Sequence, residues 1–538
     1  MNQNDKNNFL DSKTIMAIVL VGLVWFGWQS YLNKKYPAQI TADQPLGQTS
    51  DTNNVNNSTQ SVVTKIPNVN LDSISPADEK VLNYENDFLT MEVSSIGMSL
   101  KNINLKKYSD RNLKPIFFND KINNFQTSLG SKAISFELQK LDNNTITGIY
   151  RDTQVQVSKK IFIHDYTIKT EIEISKLSEA DVNSIPEIQI SINDFKRVTK
   201  ASSFLSPSLE TQDVYFLHSE GNKTEDLFVG DKSVNLIQPK INVVSLNSHY
   251  FSTAIIDSSE LMPDFILNQT PTDEFVKGTL TYKPLSSADK SIKLNYLAFI
   301  GPKDLTILES VDSKLSNVIN FGMFSSIAKP MLLTMKWFYK IFNNWGLAII
   351  LLTLLVRMIV MPLHIMSFKS MKTMQSIQPM IQSIREKYKD DPMQLNRETM
   401  DLMKRNKVNP LSGCLPMLLQ IPVFFALYRV FGQSIELYKA PFIFWIKDLS
   451  VLDPFYVLPV LLAIVMYLQQ KMTPTTMDPA QAKIMQFMPL IFSLMMISLP
   501  SALTLYIFVS TLFGIIQQFF ILKDKNKIET TNQIKAKV

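Results

Sequence analysis

Residues 351–362 read LLTLLVRMIVMP, an apolar run that is interrupted by one charged residue, Arg357. The run belongs to a longer apolar segment, about 346–364, whose length is close to the roughly 20 residues that a membrane-spanning helix needs. A charge at the middle of a bilayer costs about 2.5–3.5 kcal/mol on insertion scales. The segment therefore predicts a membrane-spanning helix whose one cation needs an explanation.

Two explanations for Arg357 are compatible with the sequence. It lies about six residues, or roughly 9 Å, from the inner end of its segment, so its side chain could snorkel to the lipid headgroups. Alternatively, it faces a water-filled cavity that is open to the cytoplasm, with Thr353 on the same helix face. No predicted span contains an Asp or Glu that would neutralise it, and polar residues occur in the other spans at Gln420, Ser493, Thr504, Ser510 and Thr511. The second explanation predicts a polar groove for a visiting polar or negative partner, because a buried charge without water or a partner is untenable.

Six apolar segments predict membrane spans, at about 15–32, 346–364, 415–431, 454–470, 484–499 and 502–522. The loop 366–407 carries nine Lys and Arg against five Asp and Glu, and the tail from 521 carries five against two. The loop 432–453 carries two against three. Because cytoplasmic loops are enriched in Lys and Arg, the first loop and the tail are predicted to be cytoplasmic. The sequence thus predicts a polytopic α-helical membrane protein with six transmembrane helices, both termini inside and residues 81–310 outside.

Residues 81–310 alternate between apolar and polar side chains, as in TQVQVSKKIFIHDYTIKTEIEIS (153–175). A period of two predicts half-buried antiparallel strands, and many short strands in about 230 residues predict an all-β sandwich domain. The histidines of this region are isolated, and the chain's one cysteine, Cys414, excludes an intrachain disulfide and a cysteine zinc cluster. We therefore expect no catalytic residue, metal or cofactor.

Residues 367–408 predict a helical hairpin on the cytoplasmic side. Two apolar stripes at helical spacing are separated by the turn KDDP at 389–392. The stripes contain Met371, Met374, Ile377, Ile381, Ile384 and Tyr388, and then Met393, Leu395, Met400, Leu402 and Met403. Methionine forms a soft surface that adapts to varied apolar partners, so Met371, Met374, Met400 and Met403 are predicted partner contacts. Packing of the two stripes on each other is a compatible alternative.

The other boundaries follow from composition. Residues 33–80 are rich in Asn, Gln, Ser and Thr and predict a flexible linker. Residues 321–343 have Phe, Met, Leu and Trp on one side and Lys on the other, which favours an amphipathic helix in the membrane interface over a connector packed on the sandwich. The predicted order is a cytoplasmic N-terminus (1–14), an uncleaved transmembrane anchor rather than a signal peptide (15–32), the linker (33–80), the periplasmic β-sandwich (81–320), the interfacial helix (321–343), five further transmembrane helices that enclose the hairpin (344–522) and a basic cytoplasmic tail (523–538).

Five segments carry a resemblance to a known family: NWGLAIILLTLLVRMIVMPL (344–363), KVNPLSGCLPMLLQIPVFFALYRVF (407–431), APFIFWIKDLSVLDPFYVLPVL (440–461), QKMTPTTMDPAQAKIMQFMPLIF (470–492) and PSALTLYIFVSTLFGIIQQ (500–518). They resemble the YidC membrane-protein insertases, and the resemblance extends over about 340–522. The β-rich region, with FIGPKDL at 299–305 near its end, resembles the periplasmic domain of the Gram-negative members. Several long segments in the same order make this resemblance specific.

The resemblance implies a five-helix insertase core around a hydrophilic groove that is open to the cytoplasm and to lipid. The family's groove positions fall on Arg357, Thr353, Gln420 and Tyr506. The implied function is insertion and assisted folding of nascent membrane proteins in the bacterial inner membrane, alone or with the Sec translocon, without enzymatic chemistry or a cofactor. The implied partners are nascent membrane proteins, the ribosome, the Sec translocon with its accessory subunits, and lipids, but not DNA.

Other classes of protein are considered on the same residues. A transporter or channel predicts internal repeats and paired ionisable groups inside the spans, and the sequence has neither. A membrane enzyme needs a nucleophile, a metal cluster or an acid–base pair, and His364 has no partner that the sequence reveals. A membrane-anchored periplasmic scaffold is allowed by the β-rich region, and it and a membrane transporter or channel are kept as the alternatives.

Overall fold

The structure is a computed structural model that describes residues 79–110, 113–118, 123–177, 187–196, 212–218, 221–226, 233–270, 272–283, 291–406, 415–473 and 479–535. The predicted N-terminus (1–14), the predicted anchor (15–32) and nearly all of the predicted linker lie outside the described residues. The last residues of the predicted tail also lie outside them.

The N-terminal half of the described chain consists of antiparallel sheets. One sheet has the order β1-β2-β3-β4, a second has β13-β12-β15-β16-β19-β10-β9-β8-β7, and a third has β14-β17-β18-β11-β5-β6. The strands are β1 (Val81–Glu85), β2 (Leu89–Ser94), β3 (Leu100–Ser109), β4 (Pro115–Phe118), β5 (Thr127–Leu129), β6 (Lys132–Ala133), β7 (Glu137–Lys140), β8 (Thr145–Arg151), β9 (Val155–His164), β10 (Thr167–Lys176), β11 (Ile188–Phe195), β12 (Asp213–His218), β13 (Gly221–Asp226), β14 (Val234–Gln238), β15 (Ile241–Asn247), β16 (Phe251–Asp257), β17 (Asp264–Gln269), β18 (Phe275–Tyr282) and β19 (Ser291–Pro302).

The two larger sheets pack face to face, with β11 of one against β15 and β16 of the other. Their inner residues are apolar, as in Ile190 and Ile192 of β11 and Val243 and Ile255 of the opposite sheet. Side chains alternate across a strand, so a period of two buries one face of each sheet. The predicted all-β sandwich is confirmed.

One buried position of β9 carries Lys159 instead of an apolar residue. Its Nζ lies within hydrogen-bond distance of the carbonyls of Phe125 at 2.7 Å, Met98 at 3.0 Å and Gly97 at 3.2 Å, and of Thr127 Oγ1 at 3.0 Å. These contacts connect β9 to the loop between β2 and β3 and to residues 125–127 at the start of β5. Burial lowers the pKa of Lys159 to about 7, since removal from water disfavours the charged form.

The C-terminal half is helical. The helices are α1 (Leu305–Val311), α2 (Ser325–Phe342), α3 (Trp345–Lys387), α4 (Pro392–Arg405), α5 (Leu415–Gln433), α6 (Val457–Met472), α7 (Pro479–Met496) and α8 (Ser501–Lys535). Within the described ranges, two helical stretches are long and apolar enough to cross a membrane, namely α3 and residues 501–520 of α8. The helix α6 and residues 486–496 of α7 are shorter apolar helices. The number of six transmembrane helices stays a prediction.

Helix α3 extends well beyond the predicted span. It starts at Trp345, where the side chain of Asn344 accepts a hydrogen bond from the backbone N–H of Leu347, and it continues for 43 residues to Lys387. The first arm of the predicted hairpin is therefore the continuation of the apolar helix. The turn before α4 includes Asp391, whose side chain caps that helix.

The sandwich and the helices are joined through charged side chains. Lys336 of α2 lies 2.8 Å from Asp304 Oδ1, at the end of the sandwich, and 2.7 Å from Glu436 Oε1, in a short 3₁₀ turn after α5. Burial opposes the charge of Lys336, but Glu436 and Asp304 outweigh burial and raise its pKa above the usual value. A second connection is the hydrogen bond of 2.8 Å from Lys439 Nζ to Ser109 Oγ. These contacts hold the segment that follows α5 against the β-rich half of the chain.

Candidate functional site

Arg357 points toward helix α8. Its Nε donates to Ser510 Oγ at 2.7 Å, and its Nη1 lies 3.4 Å from Nε2 of His364. The neighbouring residues Met358 and Ile359 are exposed on the outside of the helices. The guanidinium therefore lies between helices, and the two exposed neighbours form the outward face of this turn of α3.

A small polar cavity adjoins the guanidinium. It has a volume of about 60 Å³ and lies between three helices. The lining residues are Arg357, His364 and Phe368 of α3, Gln469 of α6, and Gly514, Gln517 and Gln518 of α8. One guanidinium, one imidazole and three amides thus face a single space between helices that are otherwise apolar.

Gln420 and Tyr506 form a second polar pair. Nε2 of Gln420, in α5, donates to the hydroxyl of Tyr506 at 2.6 Å. Tyr506 is buried, and its ring lies 6.3 Å from that of Phe431. Tyr506 and Ser510 are four residues apart in α8 and so lie on one face of it. The Arg357–Ser510 contact and the Gln420–Tyr506 contact are therefore one helical turn apart along α8.

Thr353 lies one turn before Arg357, but its hydroxyl has a local partner. It is buried and donates to the carbonyl of Ile349 in its own helix at 2.6 Å. Of the other polar residues predicted in the spans, Ser510 contacts Arg357, whereas Ser493, Thr504 and Thr511 donate to backbone carbonyls. Hydroxyls in helices often bond in this way. The site thus combines Arg357 with Ser510 and Gln420 with Tyr506, and Thr353 packs beside them.

Sequence reasoning missed the four other polar residues of the cavity, His364, Gln469, Gln517 and Gln518, as well as Phe368 and Gly514. The helical spacing contains a signal for three of the polar residues. His364 follows Arg357 by seven residues, and Gln517 and Gln518 follow Ser510 by seven and eight, which places each pair on one face. Gln469 belongs to a third helix, and no spacing within one helix predicts its contact.

The predicted hairpin packs on itself. Ile377 and Ile381 of α3 are buried against Met374, Leu402 and Met403. In contrast, Met400 is 53% exposed and Met393 is 84% exposed. Of the four predicted contact methionines, Met374 and Met403 belong to the packed seam, Met400 faces outward and Met371 is half-buried. The two arms therefore close one apolar stripe while leaving methionines on the surface.

Within the described residues, no group of three or more His, Cys, Asp or Glu side chains is placed to hold a metal ion. Nor does any described Asp or Glu form an ion pair with Arg357; its polar contacts there are a hydroxyl and an imidazole. The arrangement can donate hydrogen bonds and positive potential to a polar group that enters the cavity.

Comparisons with known proteins identify the class. A family model described as "YidC periplasmic domain" matches residues 82–334, and one described as "60Kd inner membrane protein" matches residues 337–529. The two matches correspond to the sandwich and to the helical part, and define an inner-membrane protein with a periplasmic β domain.

Individual relatives give the family. "Membrane protein insertase YidC" of Campylobacter jejuni subsp. jejuni is 31% identical over 534 residues, which cover 97% of both chains. The protein of the same name from Geotalea daltonii is 48% identical over 253 residues, and the match covers 47% of this chain and 48% of that protein. The chain belongs to the YidC family. It spans about half the length of several of the curated relatives it matches.

A solved structure is also similar, the "Active YidC insertase crystal structure with the first transmembrane domain resolved". The match has a TM-score of 0.37 and 19% sequence identity, and it covers 82% of this chain and 92% of that chain.

Proposed function

We propose that this chain inserts nascent membrane proteins into the bacterial inner membrane and assists their folding. The observation that carries the proposal is the position of Arg357, which is directed at a polar cavity between α3, α6 and α8. A permanent cation among apolar helices is stable only with polar neighbours or a polar visitor. The names of the relatives support the same activity.

The physical role of the site is to lower a transfer barrier. A polar flank of a client must cross about 30 Å of hydrocarbon before its apolar segment can span the bilayer. Arg357, Gln420 and Tyr506 offer hydrogen-bonding groups along part of that path. Burial of the client's apolar segment in lipid then drives the step, so no cofactor or chemical reaction is required. The chain is accordingly proposed not to be an enzyme.

The proposed orientation places the sandwich in the periplasm and the hairpin, both termini and the basic tail in the cytoplasm. The excess of Lys and Arg in residues 366–407 and from 521 onward supports this arrangement. The exposed Met393 and Met400 make the hairpin a suitable first contact for apolar client segments. The ribosome, the Sec translocon and lipids are the further partners we propose.

Site-specific photocrosslinking tests the proposal. A photoreactive phenylalanine analogue replaces Tyr506, which is in the site, or Ile359, which is exposed on the other side of α3. Ribosome-bound nascent chains of a single-span protein are supplied at increasing lengths. Crosslinks at position 506 that rise and then fall with chain length are expected. Crosslinks at position 359 alone, or at neither position, would reopen the transporter and scaffold alternatives.

A further inference from the structure

Two amide groups of α8 in the cavity have hydrogen-bonding atoms without a partner. Nε2 of Gln517 and Oε1 of Gln518 are buried from solvent, and neither has a hydrogen-bond partner. Both residues line the cavity beside Arg357. An unsatisfied buried donor or acceptor costs about 1–3 kcal/mol, so two of them in one small cavity indicate a site that is completed by a ligand.

The orientation of Gln518 is fixed by its neighbours. The hydroxyl of Thr473 donates its proton to the carbonyl of Gln469 at 2.8 Å. The same oxygen must therefore accept in its second contact, which it does from Nε2 of Gln518 at 3.3 Å. Since the amide nitrogen of Gln518 is engaged in this way, its Oε1 is left as the acceptor. Two residues that line the cavity thus carry one unpartnered donor, on Gln517, and one unpartnered acceptor, on Gln518.

The shape of the cavity depends on Gly514. A Cβ at this position would come within 2.6 Å of Nε2 of Gln469. The absence of a side chain lets the Gln469 amide approach α8 closely. The remaining accessible space of about 60 Å³ exceeds the roughly 10–15 Å³ that one water requires, so the cavity admits water or a small polar group.

The paired donor and acceptor select the ligand's chemistry. A carboxylate would satisfy Gln517 and Arg357, but its oxygens would face Oε1 of Gln518, which is also an acceptor. A peptide group carries one C=O and one N–H, and therefore matches both glutamines. We propose that this end of the groove binds a main-chain amide of the client's polar segment. The inference rests on the proposed insertase function and specifies what the groove recognises.

Recognition of the main chain has a clear advantage for a protein with varied clients. Every peptide group of an extended segment in hydrocarbon lacks water as a partner, at a cost of several kcal/mol per group. A site that pairs with C=O and N–H lowers this cost for any sequence. Arg357 favours clients with negative charge, whereas Gln517 and Gln518 bind peptide groups, which all clients have.

The test uses the full-length protein in liposomes and a single-span client. The client's polar flank consists of Gly, Ser and Ala, with no Asn, Gln or acidic residue, and insertion is measured by protease protection. Gln517→Met and Gln518→Met are compared with Gln486→Met, which alters an exposed glutamine of α7 outside the cavity. The two cavity variants are expected to slow insertion roughly tenfold, as for a lost hydrogen bond of about 1.4 kcal/mol, and the control is expected to leave it unchanged.

A second arm keeps the protein unaltered and removes the client's donor. Proline has no N–H, so Ala→Pro substitutions along the flank should slow insertion at one or two positions. In the Gln518→Met variant the same client substitutions should have little further effect, because the pair is already broken. The measurement with the unaltered protein does not depend on how well the variants fold.

The outcomes separate the two proposals. If the glutamine variants and the proline clients insert at the normal rate while Arg357→Ala inserts slowly, the cavity holds only water and the amide site is overturned. A second client carries Asn or Gln in its flank. If the glutamine variants slow the insertion of that client only, the site binds side-chain amides and the main-chain proposal is overturned. If the unaltered protein inserts no client, the proposed function itself fails.

Discussion

Ser510 Oγ accepts a hydrogen bond from Arg357 Nε at 2.7 Å, which joins α3 to α8 through two residues that are 153 positions apart in the sequence. This contact directs a permanent charge into the interior of the helices and away from the exposed face at Ile359. It also explains how an arginine is tolerated in an apolar helix, because one of its donors is satisfied locally. Its Nη1 lies 3.4 Å from Nε2 of His364, and Arg357 lines the cavity between the helices.

The charge of Arg357 is expected to matter most for clients with acidic flanks. Arg357→Lys keeps the charge and should preserve most insertion, although one ammonium cannot reproduce the fork that reaches Ser510 and His364. Arg357→Ala should slow acidic-flank clients several-fold more than neutral ones. Insertion rates for paired clients that differ only in flank charge measure the effect. Equal rates for both clients in the Ala variant would rule out charge attraction.

Ser510 is expected to position Arg357, and its neighbour Thr511 provides a matched control. Ser510→Ala removes the acceptor of the arginine and should slow insertion about fivefold, as for a net hydrogen-bond loss of about 1 kcal/mol. Thr511→Ala removes a hydroxyl that donates only to Ile507 in its own helix at 2.7 Å. It should leave insertion nearly unchanged. Similar losses in both variants would indicate a general defect of α8.

Lys336 holds the sandwich to the helices through Asp304 and Glu436. Lys336→Met should lower the free energy of unfolding by about 3–5 kcal/mol, because it leaves buried carboxylates unpaired. Adding Glu436→Leu should recover part of that loss. Thermal unfolding in detergent measures both variants. A double variant no more stable than the single one would show that the ion pair is not what joins the two parts.

The stability of the sandwich should depend on pH through Lys159. Its pKa is lowered in the folded state to about 7 from an ordinary value of 10.5. Between these values the unfolded chain binds more protons, so stability should rise with pH, by at most about 1.4 kcal/mol per unit. Below pH 7 this dependence should vanish. Unfolding midpoints from pH 6 to 9 test it, with Lys159→Met as the variant expected to lack the rise.

Substitutions of Met403 and Met400 distinguish packing within the hairpin from contact with clients. Met403 packs against Ile377 and Ile381, so Met403→Ala should destabilise the hairpin by about 2 kcal/mol or more. Met400 is exposed, so Met400→Ala should leave stability unchanged and weaken crosslinking to client segments. Limited proteolysis of residues 388–391 reports the first effect. Unchanged crosslinking of the hairpin to clients in the Met400→Ala variant would restrict the hairpin to self-packing.

The sequence was informative where a feature depends on neighbours along the chain. The alternation at 153–175 predicts β9 and β10, which pair over that whole length. Arg357 stands out because one charge in an apolar run is visible without a structure. The residues around Arg357 could be predicted only in part from the sequence. Helical spacing relates Arg357 to His364, and Ser510 to Gln517, but the meeting of α3, α6 and α8 depends on tertiary packing that no local period encodes.

Helix α3 was predicted to end near residue 364, and it continues to Lys387. The prediction followed the loss of hydrophobicity at the membrane edge. A drop in hydrophobicity shows that the surroundings of a helix change from apolar to polar. It does not show that the helix ends, because a helix ends where capping or helix-breaking residues occur. Here the helix ends only at the turn around residues 388–391.

The continuity of α3 has a mechanical consequence. At 1.5 Å per residue its 43 residues form a rod of about 65 Å. Arg357 lies in the N-terminal part of this helix, and Ile377 and Ile381, which form the packed seam of the hairpin, lie in its C-terminal part. The prolines at 362 and 379 each remove one backbone hydrogen bond and so provide bending points along it. Because Pro362 lies between Arg357 and this seam, a client that pulls on the hairpin would bend α3 there, and the guanidinium would keep its place beside the cavity.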